Sequence, residues 1–347
     1  RGLVYGDPAA NIYANEAMIT PAATGLGYNV FTVPAGQMLI GTNGKINPNA
    51  TLGRVVNTAN GNFLLTPDNW LDATYKSSLR QEYNVSVAQG TDKSNFRASV
   101  SYLDNQGIVI SKSDYKRFTG RLSADVQAKP WLKVGANVNY THYSTHSMDS
   151  EEGSSNSSGN MFAAATGIAP IYPLYMRDAD GNIMVDANGL TRFDYGDGAN
   201  AGLKRPVFGD SNAINAAMLD TNESNGNLFQ ANGYFEVRFL KDFKFTSNNT
   251  VYVNESRSSA ITNPFYGAYA DQKGMVSKGH SRQFNQNYQQ LLNWNHSFGA
   301  HNVGLLAGHE YNLQKGYLLS AGKSNMFDPW NSELNNAIID GSASSYT

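Results

Sequence analysis

The chain has 347 residues, of which 41% are hydrophobic, 12% aromatic and only 16% charged, with a formal net charge of -2. That balance offers no basic surface for nucleic acid, and the absence of cysteine excludes disulfides and Cys-ligated metals. No run of ~18 apolar residues is present, so a transmembrane helix is excluded and any membrane crossing needs strands.

Residues 1–81 read as loop-rich chain, broken at Gly6-Asp7-Pro8, Thr20-Pro21, Val33-Pro34-Ala35-Gly36 and Asn47-Pro48-Asn49. Short strands are expected near Tyr28 to Val33 and Gln37 to Ile40. Thr66-Pro67 could open a helix, although a turn into the next strand is the preferred reading. Residues 82–143 then carry four strands of period two. Tyr83, Val85 and Val87 alternate with Asn84, Ser86 and Ala88, and Phe96, Ala98, Val100 and Tyr102 alternate with Asn95, Arg97, Ser99 and Ser101. The clearest pair runs from Asp114 to Tyr143 and turns at Lys129-Pro130. One side presents Phe118, Leu122, Val126, Leu132, Val134 and Val138, and the other Arg117, Arg121, Asp125, Lys133 and Asn137. Limbs of about a dozen residues exceed the ~5–6 of an ordinary strand and match the roughly 9–11 that cross a bilayer at a tilt.

The alternation stops over residues 144–226, which begin Ser/Gly/Asn-rich and contain an expected small hairpin turning at Asp178-Ala179-Asp180-Gly181-Asn182. It resumes over 227–322 as four more strands, with a loop at 257–280, and 323–347 reads as a loop or tail. Short turns at 90–93, 129–130, 240–242 and 299–300 alternate with longer loops, the asymmetry of outer-membrane strand proteins.

Few residues suggest chemistry. Asp178, Asp180 and Asn182 resemble a calcium loop, but the Gly falls early and no Glu closes it, so a plain turn is expected. Glu151-Glu152 sits in solvated-loop composition. His142, His296 and His309 lack metal-ligand spacing. No phosphate loop, nucleophile elbow or zinc-protease motif appears, so neither enzyme activity nor a cofactor is expected. The loop aromatics Tyr172, Tyr175, Phe193, Tyr195, Phe265, Tyr266 and Tyr269 lie outside the strand pattern. They either pack the loops or contact substrate, and they are the candidate binding residues. Arg97, Arg117, Arg121, Lys133, Asp125, Glu236 and Arg238 face the lumen and are read as wall and plug contacts.

Several stretches, in order, resemble the SusC-like (RagA-type) TonB-dependent outer-membrane transporters of Bacteroidetes. They are Val33-Pro34-Ala35-Gly36-Gln37, Gly44 to Ala50, Asn69-Trp70-Leu71-Asp72, Tyr83 to Val87 with Gly90-Thr91-Asp92, and Ser101 to Gly107. Arg117 to Leu122 with Trp131 to Gly135, Ser324 to Pro329, and Glu333-Leu334-Asn335 complete the set. The resemblance implies an all-β fold: a segment of a large antiparallel transmembrane β-barrel, 22 strands in the full protein, with long extracellular loops. The plug domain is not recognisable in this sequence. It further implies import of a large nutrient, an oligosaccharide or an oligopeptide, driven by TonB through a plug outside this sequence. A SusD-like surface lipoprotein would be the partner and outer-membrane lipid the surroundings. A small closed barrel acting as an adhesin and a passive porin are the alternatives.

Overall fold

The computed structural model describes residues 30–41, 43–147, 160–200, 202, 204–205, 208–267 and 269–346. The breakers at Gly6 and Thr20, the expected strand start at Tyr28, and Glu151-Glu152 lie outside the described residues.

Two small hairpin-like sheets open the chain: β1 (Phe31–Thr32) pairs with β2 (Thr51–Leu52), and β3 (Arg54–Thr58) with β4 (Gly61–Leu65). A short helix follows, α1 (Trp70–Thr74), where a turn was expected. Its cap is Asn69, whose side chain accepts from the backbone N–H groups of Leu71 and Asp72 and so satisfies the first turn.

The body of the molecule is one antiparallel meander: β5 (Arg80–Gly90), β6 (Ser94–Gln106), β7 (Asp114–Lys129), β8 (Leu132–His146), β9 (Thr221–Phe239), β10 (Phe243–Thr262), β11 (Met275–Phe298), β12 (His301–Met326) and β13 (Ala337–Tyr346). Helices α2 (Met161–Gly167) and α3 (Ala213–Leu219) lie between β8 and β9, and a 3-10 turn, Leu334–Asn336, precedes β13. Every strand pairs with its sequence neighbours, from β5 at one edge to β13 at the other. The tight connections are β5–β6, β7–β8, β9–β10 and β11–β12. At β9–β10, Leu240 and Lys241 adopt φ of 49° and 61°, two left-handed residues that tighten the three-residue turn 240–242.

The expected β-barrel is corrected by this topology. The nine strands form an open sheet in which β5 and β13 each pair on one side only, so there is no closure among the described residues. The small closed barrel considered as an alternative falls with it. The physical reason is that period-two patterning reports which face of a strand is apolar and carries no information on whether the sheet's two edges meet.

Strand extents differ for a related reason. β10 continues to Thr262, β11 starts at Met275 and β12 runs to Met326, which leaves only residues 263–274 between β10 and β11. On β10 the face carrying Phe243, Phe245, Val251 and Val253 turns polar at Glu255 and Arg257. Its β11 register partners change likewise, from Trp294, Leu292 and Phe284 to Arg282 and His280. Ladder hydrogen bonding continues past the point where hydrophobic alternation ends. At ~3.4 Å per residue the 26 residues of β12 also far exceed ~30 Å of hydrocarbon.

The two faces are chemically opposite. One register row reads Val87, Ala98, Leu122, Val138, Ala231, Val251 across six strands, and the next reads Ala88, Arg97, Ser123, Asn137, Asn232, Thr250, Asn287, Asn312 across eight. Polar side chains on the second face bond across strands, as in Asn232 Nδ2 to Thr250 Oγ1 at 2.9 Å and Asn287 Nδ2 to Glu310 Oε1 at 2.6 Å. The charged wall residues pair there too: Lys133 with Asp125 at 3.3 Å, Arg238 with Glu236 at 2.9 Å and Arg117 with Glu82 at 3.9 Å.

Burial is inverted relative to a soluble sheet protein. Val85 is 75% and Leu305 63% exposed on the apolar face, whereas the main hydrophobic core lies in the loop layer. That core gathers Leu65, Trp70, Val109, Met161, Leu174, Phe193 and Ile214 from β4, α1, α2, α3 and the loops between strands. Trp70 anchors it, its Nε1 donating to Tyr172 O at 3.0 Å with the Arg205 guanidinium over its ring.

Candidate functional site in the loop layer

Residues 175–193 fold as a miniature three-limbed meander, bridged at Tyr175–Phe193, Arg177–Ile183 and Val185–Thr191. Two equivalent turns shape it. Asp178 Oδ1 accepts from the N–H of Asp180 and Asn182, and Asp186 Oδ1 from the N–H of Asn188 and Leu190. Gly181 and Gly189 supply the left-handed residues, with φ of 92° and 77°. The Asp178 carboxylate is thus occupied by its own backbone, and its Asn182 hydrogen bonds hold it below the usual carboxylate range. Among the described residues no three His, Cys, Asp or Glu side chains gather as metal ligands.

Asp68 fixes this meander to the start of the chain. Its Oδ2 accepts from the N–H of Leu174 (2.7 Å) and Tyr175 (3.2 Å) and from Arg177 Nη1 (3.0 Å), and its Oδ1 from Arg177 Nη2 at 2.6 Å.

Beyond Phe193, Asp194 faces the buried Arg205 at 4.0 Å and accepts from Gly196 N and Asn200 Nδ2. Gly196 has φ of 67°, and a Cβ there would meet Arg205 Cβ at 2.7 Å, so this close approach requires glycine. The N-cap of α3, Asn212, donates its Nδ2 to Asp194 O, and Asn215 Nδ2 donates to the Tyr195 hydroxyl. From the sheet side, the buried Asn263 donates its N–H and Nδ2 to Asp220 Oδ1, while its own Oδ1 accepts from Phe265 N and Tyr266 N. Tyr266 then stacks on Tyr195 with ring centres 5.7 Å apart and donates its hydroxyl to Asp186 Oδ2 at 2.7 Å. Burial, and then this bond, push the Tyr266 hydroxyl up to about 12. Burial likewise raises Tyr195.

These elements line a half-open cavity of about 670 Å³ between α2, the meander, α3 and the segment from Thr262 to Gly267 with Tyr269 and Ala270. Of the seven candidate aromatics, Phe193, Tyr195, Phe265, Tyr266 and Tyr269 line it. Tyr172 and Tyr175 do not: Tyr172 is 2% exposed within the core, and Tyr175 packs on Phe193 at 4.9 Å. The lining also includes Arg192, Asp194, Asp197, Asn200, Asp210, Asn212, Asp220 and Asn263. Sequence reasoning missed these, because isolated Asp and Asn in a loop have the same signature as turn formers. A second, shallower groove of about 470 Å³ runs along the polar sheet face between Arg97, Arg121, Asn137, Asn139, Gln230 and Asn232. These histidines bond within the sheet and its turns: His142 to Asn227 and His309 to Gln290 on neighbouring strands, and His296 to Asp242 in the β9–β10 turn.

No protein-family model matches the chain. It is 25% identical over 255 residues to TonB-dependent receptor P3 of Formosa agariphila, covering 72% of this chain and 23% of that protein. It is 23% identical over 252 residues to TonB-dependent receptor SusC of Bacteroides thetaiotaomicron, covering 70% and 23%. The chain therefore spans about a quarter of the length of these relatives. Among solved structures, the RagAB peptide transporter superposes with a TM-score of 0.63 at 20% identity, over 81% of this chain and 30% of that one. The RagAB peptide importer in its 'open-open' state gives 0.63 over 81% and 29%. The sequence similarity is to TonB-dependent receptors, and it supports an outer-membrane location. Over the part it spans, the chain is homologous to TonB-dependent receptors of the SusC kind, and it shares the fold of the RagAB structures.

Proposed function

We propose that the chain takes part in TonB-dependent import of a large nutrient, an oligosaccharide or an oligopeptide, across the outer membrane. Its apolar sheet face meets lipid, its polar, amide-rich face borders the path of the cargo, and the loop cavity receives cargo on its way in. A SusD-like surface lipoprotein would sit over the loop layer, and TonB would act through a plug region outside this sequence. The observation that carries this reading is the inverted burial: a sheet leaves Val85 and Leu305 exposed while the hydrophobic core lies in the loops. Water penalises such a face at about 25 cal/mol per Å², and hydrocarbon does not.

The decisive experiment follows uptake of labelled oligosaccharides and oligopeptides by cells carrying or lacking the gene, with and without an uncoupler of the proton gradient. Gene-dependent uptake abolished by the uncoupler is the expected result. Gene-dependent uptake that persists in uncoupled cells would instead favour a passive porin.

A further inference from the structure

The groove on the polar sheet face carries charge of one sign. Arg97 and Arg121, both exposed, are its charged residues, and no Asp or Glu lines it. The register places Arg97, Ser123 and Asn137 in one cross-strand row and Ser99, Arg121 and Asn139 in the next, so the two arginines are diagonal neighbours on β6 and β7. Diagonal positions lie ~7–8 Å apart, within common reach of long side chains. The acids on this face of β5 and β7 are committed elsewhere: Asp125 to Lys133 at 3.3 Å, and Glu82 to Arg80 and Arg117. Among the described residues, neither Arg97 nor Arg121 has a carboxylate within ion-pair distance.

The hydrogen bonds of the groove leave donors over. Asn137 Oδ1 accepts from Ser123 Oγ, and Asn139 Oδ1 accepts from Arg121 Nε at 3.3 Å, so both amides are oriented through their oxygens. Among the described residues their Nδ2 groups, the Nη groups of Arg121 and the Arg97 guanidinium donate to no protein acceptor. Four donor groups, two of them charged, thus meet in one groove with no negative charge beside them. Such a set matches an anion with two oxygens, which arginine binds through paired N–H groups. Exposed guanidiniums hold an anion only loosely, which suits a station that must also release what it binds.

We propose that this groove is an anion station on the cargo path, at which Arg97 and Arg121 together grip a carboxylate of the cargo while Asn137 and Asn139 donate beside it. The carboxylate belongs to an acidic side chain of an oligopeptide or to a uronate of an oligosaccharide. This inference rests on the import reading above and narrows it to acidic cargo.

The test measures calorimetric binding of four probes to the detergent-solubilised native protein: Ala-Glu-Ala-Glu with its neutral counterpart Ala-Gln-Ala-Gln, and tetragalacturonate with neutral maltotetraose. In at least one pair the acidic probe should bind about fivefold to tenfold more tightly than the neutral one, a preference that fades as salt rises. The pair that shows it identifies the source of the carboxylate. Arg97→Gln or Arg121→Gln should weaken the acidic probe about threefold, the scale of one exposed charge, and the two together should abolish the preference. Arg121→Lys keeps the charge without the paired donors and should cost less than Arg121→Gln. Neutral probes should keep their affinity throughout, which misfolding would not allow. Equal binding within both pairs, a preference that survives the double substitution, or no binding of any probe would each overturn the inference. So would a double variant that unfolds at lower temperature with probe binding unchanged, the mark of arginines that hold another part of the protein. Uncoupler-sensitive uptake of neutral cargo would then leave the import reading standing, whereas uptake that ignores the uncoupler would remove that reading too.

Discussion

Replacing Asp68 with Ala attacks the joint that holds the cavity wall in place. The carboxylate accepts two main-chain N–H groups and both Arg177 Nη atoms, and both side chains of the pair are 13% exposed. Removing one partner of a largely buried ion pair costs ~3–5 kcal/mol, because the other charge stays buried and unpaired. The two amides left without an acceptor add to this, and water reaching the exposed edge subtracts from it. A local cost of about 3 kcal/mol is therefore expected, about a hundredfold in an opening equilibrium. Hydrogen exchange over residues 174–177 reads this directly: exchange in the native-state limit should accelerate on the order of a hundredfold, with amides of β7 and β8 unchanged. The double variant Asp68→Ala, Arg177→Leu removes the stranded charge and should recover part of the loss. A single-variant acceleration below about fivefold, or a double variant that simply adds a second penalty, would refute this account of how the meander is anchored.

Trp70→Ala should destabilise the loop layer by ~3–5 kcal/mol through the cavity it leaves and the loss of its bond to Tyr172 O, seen as protease cleavage within 160–220 while the sheet stays intact. Asn263→Ala removes the side-chain bond to Asp220 and those accepted from the N–H groups of Phe265 and Tyr266, leaving only the main-chain bond to Asp220, and should free residues 263–274 and weaken cargo binding more than tenfold in calorimetry. The pH dependence of the Tyr266 to Asp186 bond has a defined sign. Burial works against the Asp186 carboxylate, but hydrogen bonds from Tyr266, Leu190 and Asn188 hold it below the ordinary 3.8. Its stabilisation is present above that value and lost as pH falls through the depressed one. Amides of Asn188 and Leu190, corrected for intrinsic rate, should keep their protection from pH 7 to about 4 and lose it below ~3.8; loss near pH 6 would contradict the assignment. Leu122→Arg on the apolar face should cost ~2–4 kcal/mol in a bilayer, measured by unfolding from lipid vesicles, whereas a water-facing position would tolerate it.

The alternation of residues such as Phe118, Leu122 and Val126 with Arg117, Arg121 and Asp125 was enough to read the strands of the first half, their tight turns and the opposition of the two faces. It was not enough to read the strand ends beyond Val253 and Phe284, where Glu255, Arg257, Arg282 and His280 interrupt the apolar face before Ile261 and Val276 join a second buried cluster with Met326 and Ala337. Sheet closure was not legible either, since it depends on edges that patterning does not describe. In the loop layer, five of the seven aromatic residues stranded outside the strand pattern line the cavity. Tyr172 and Tyr175 look identical in sequence yet sit in the core, because Trp70 and Asp68, about a hundred residues away, draw that segment inward. Helix α1 was obscured by Thr66-Pro67, while its true cap, Asn69, lay one turn later.

On the proposed function, the sheet lies in the outer membrane with its apolar face in lipid and its loop layer open to the outside. The chain contains no cysteine, so single cysteines report on position without background. Phe327→Cys in the loop layer, Leu122→Cys on the apolar face and Trp131→Cys at a tight turn can each be treated, in intact cells, with a membrane-impermeant maleimide. Rapid labelling is expected at residue 327, none at 122, and labelling at 131 only after the outer membrane is breached. Labelling at 122 in intact cells, or at 131 before 327, would contradict that placement of the sheet.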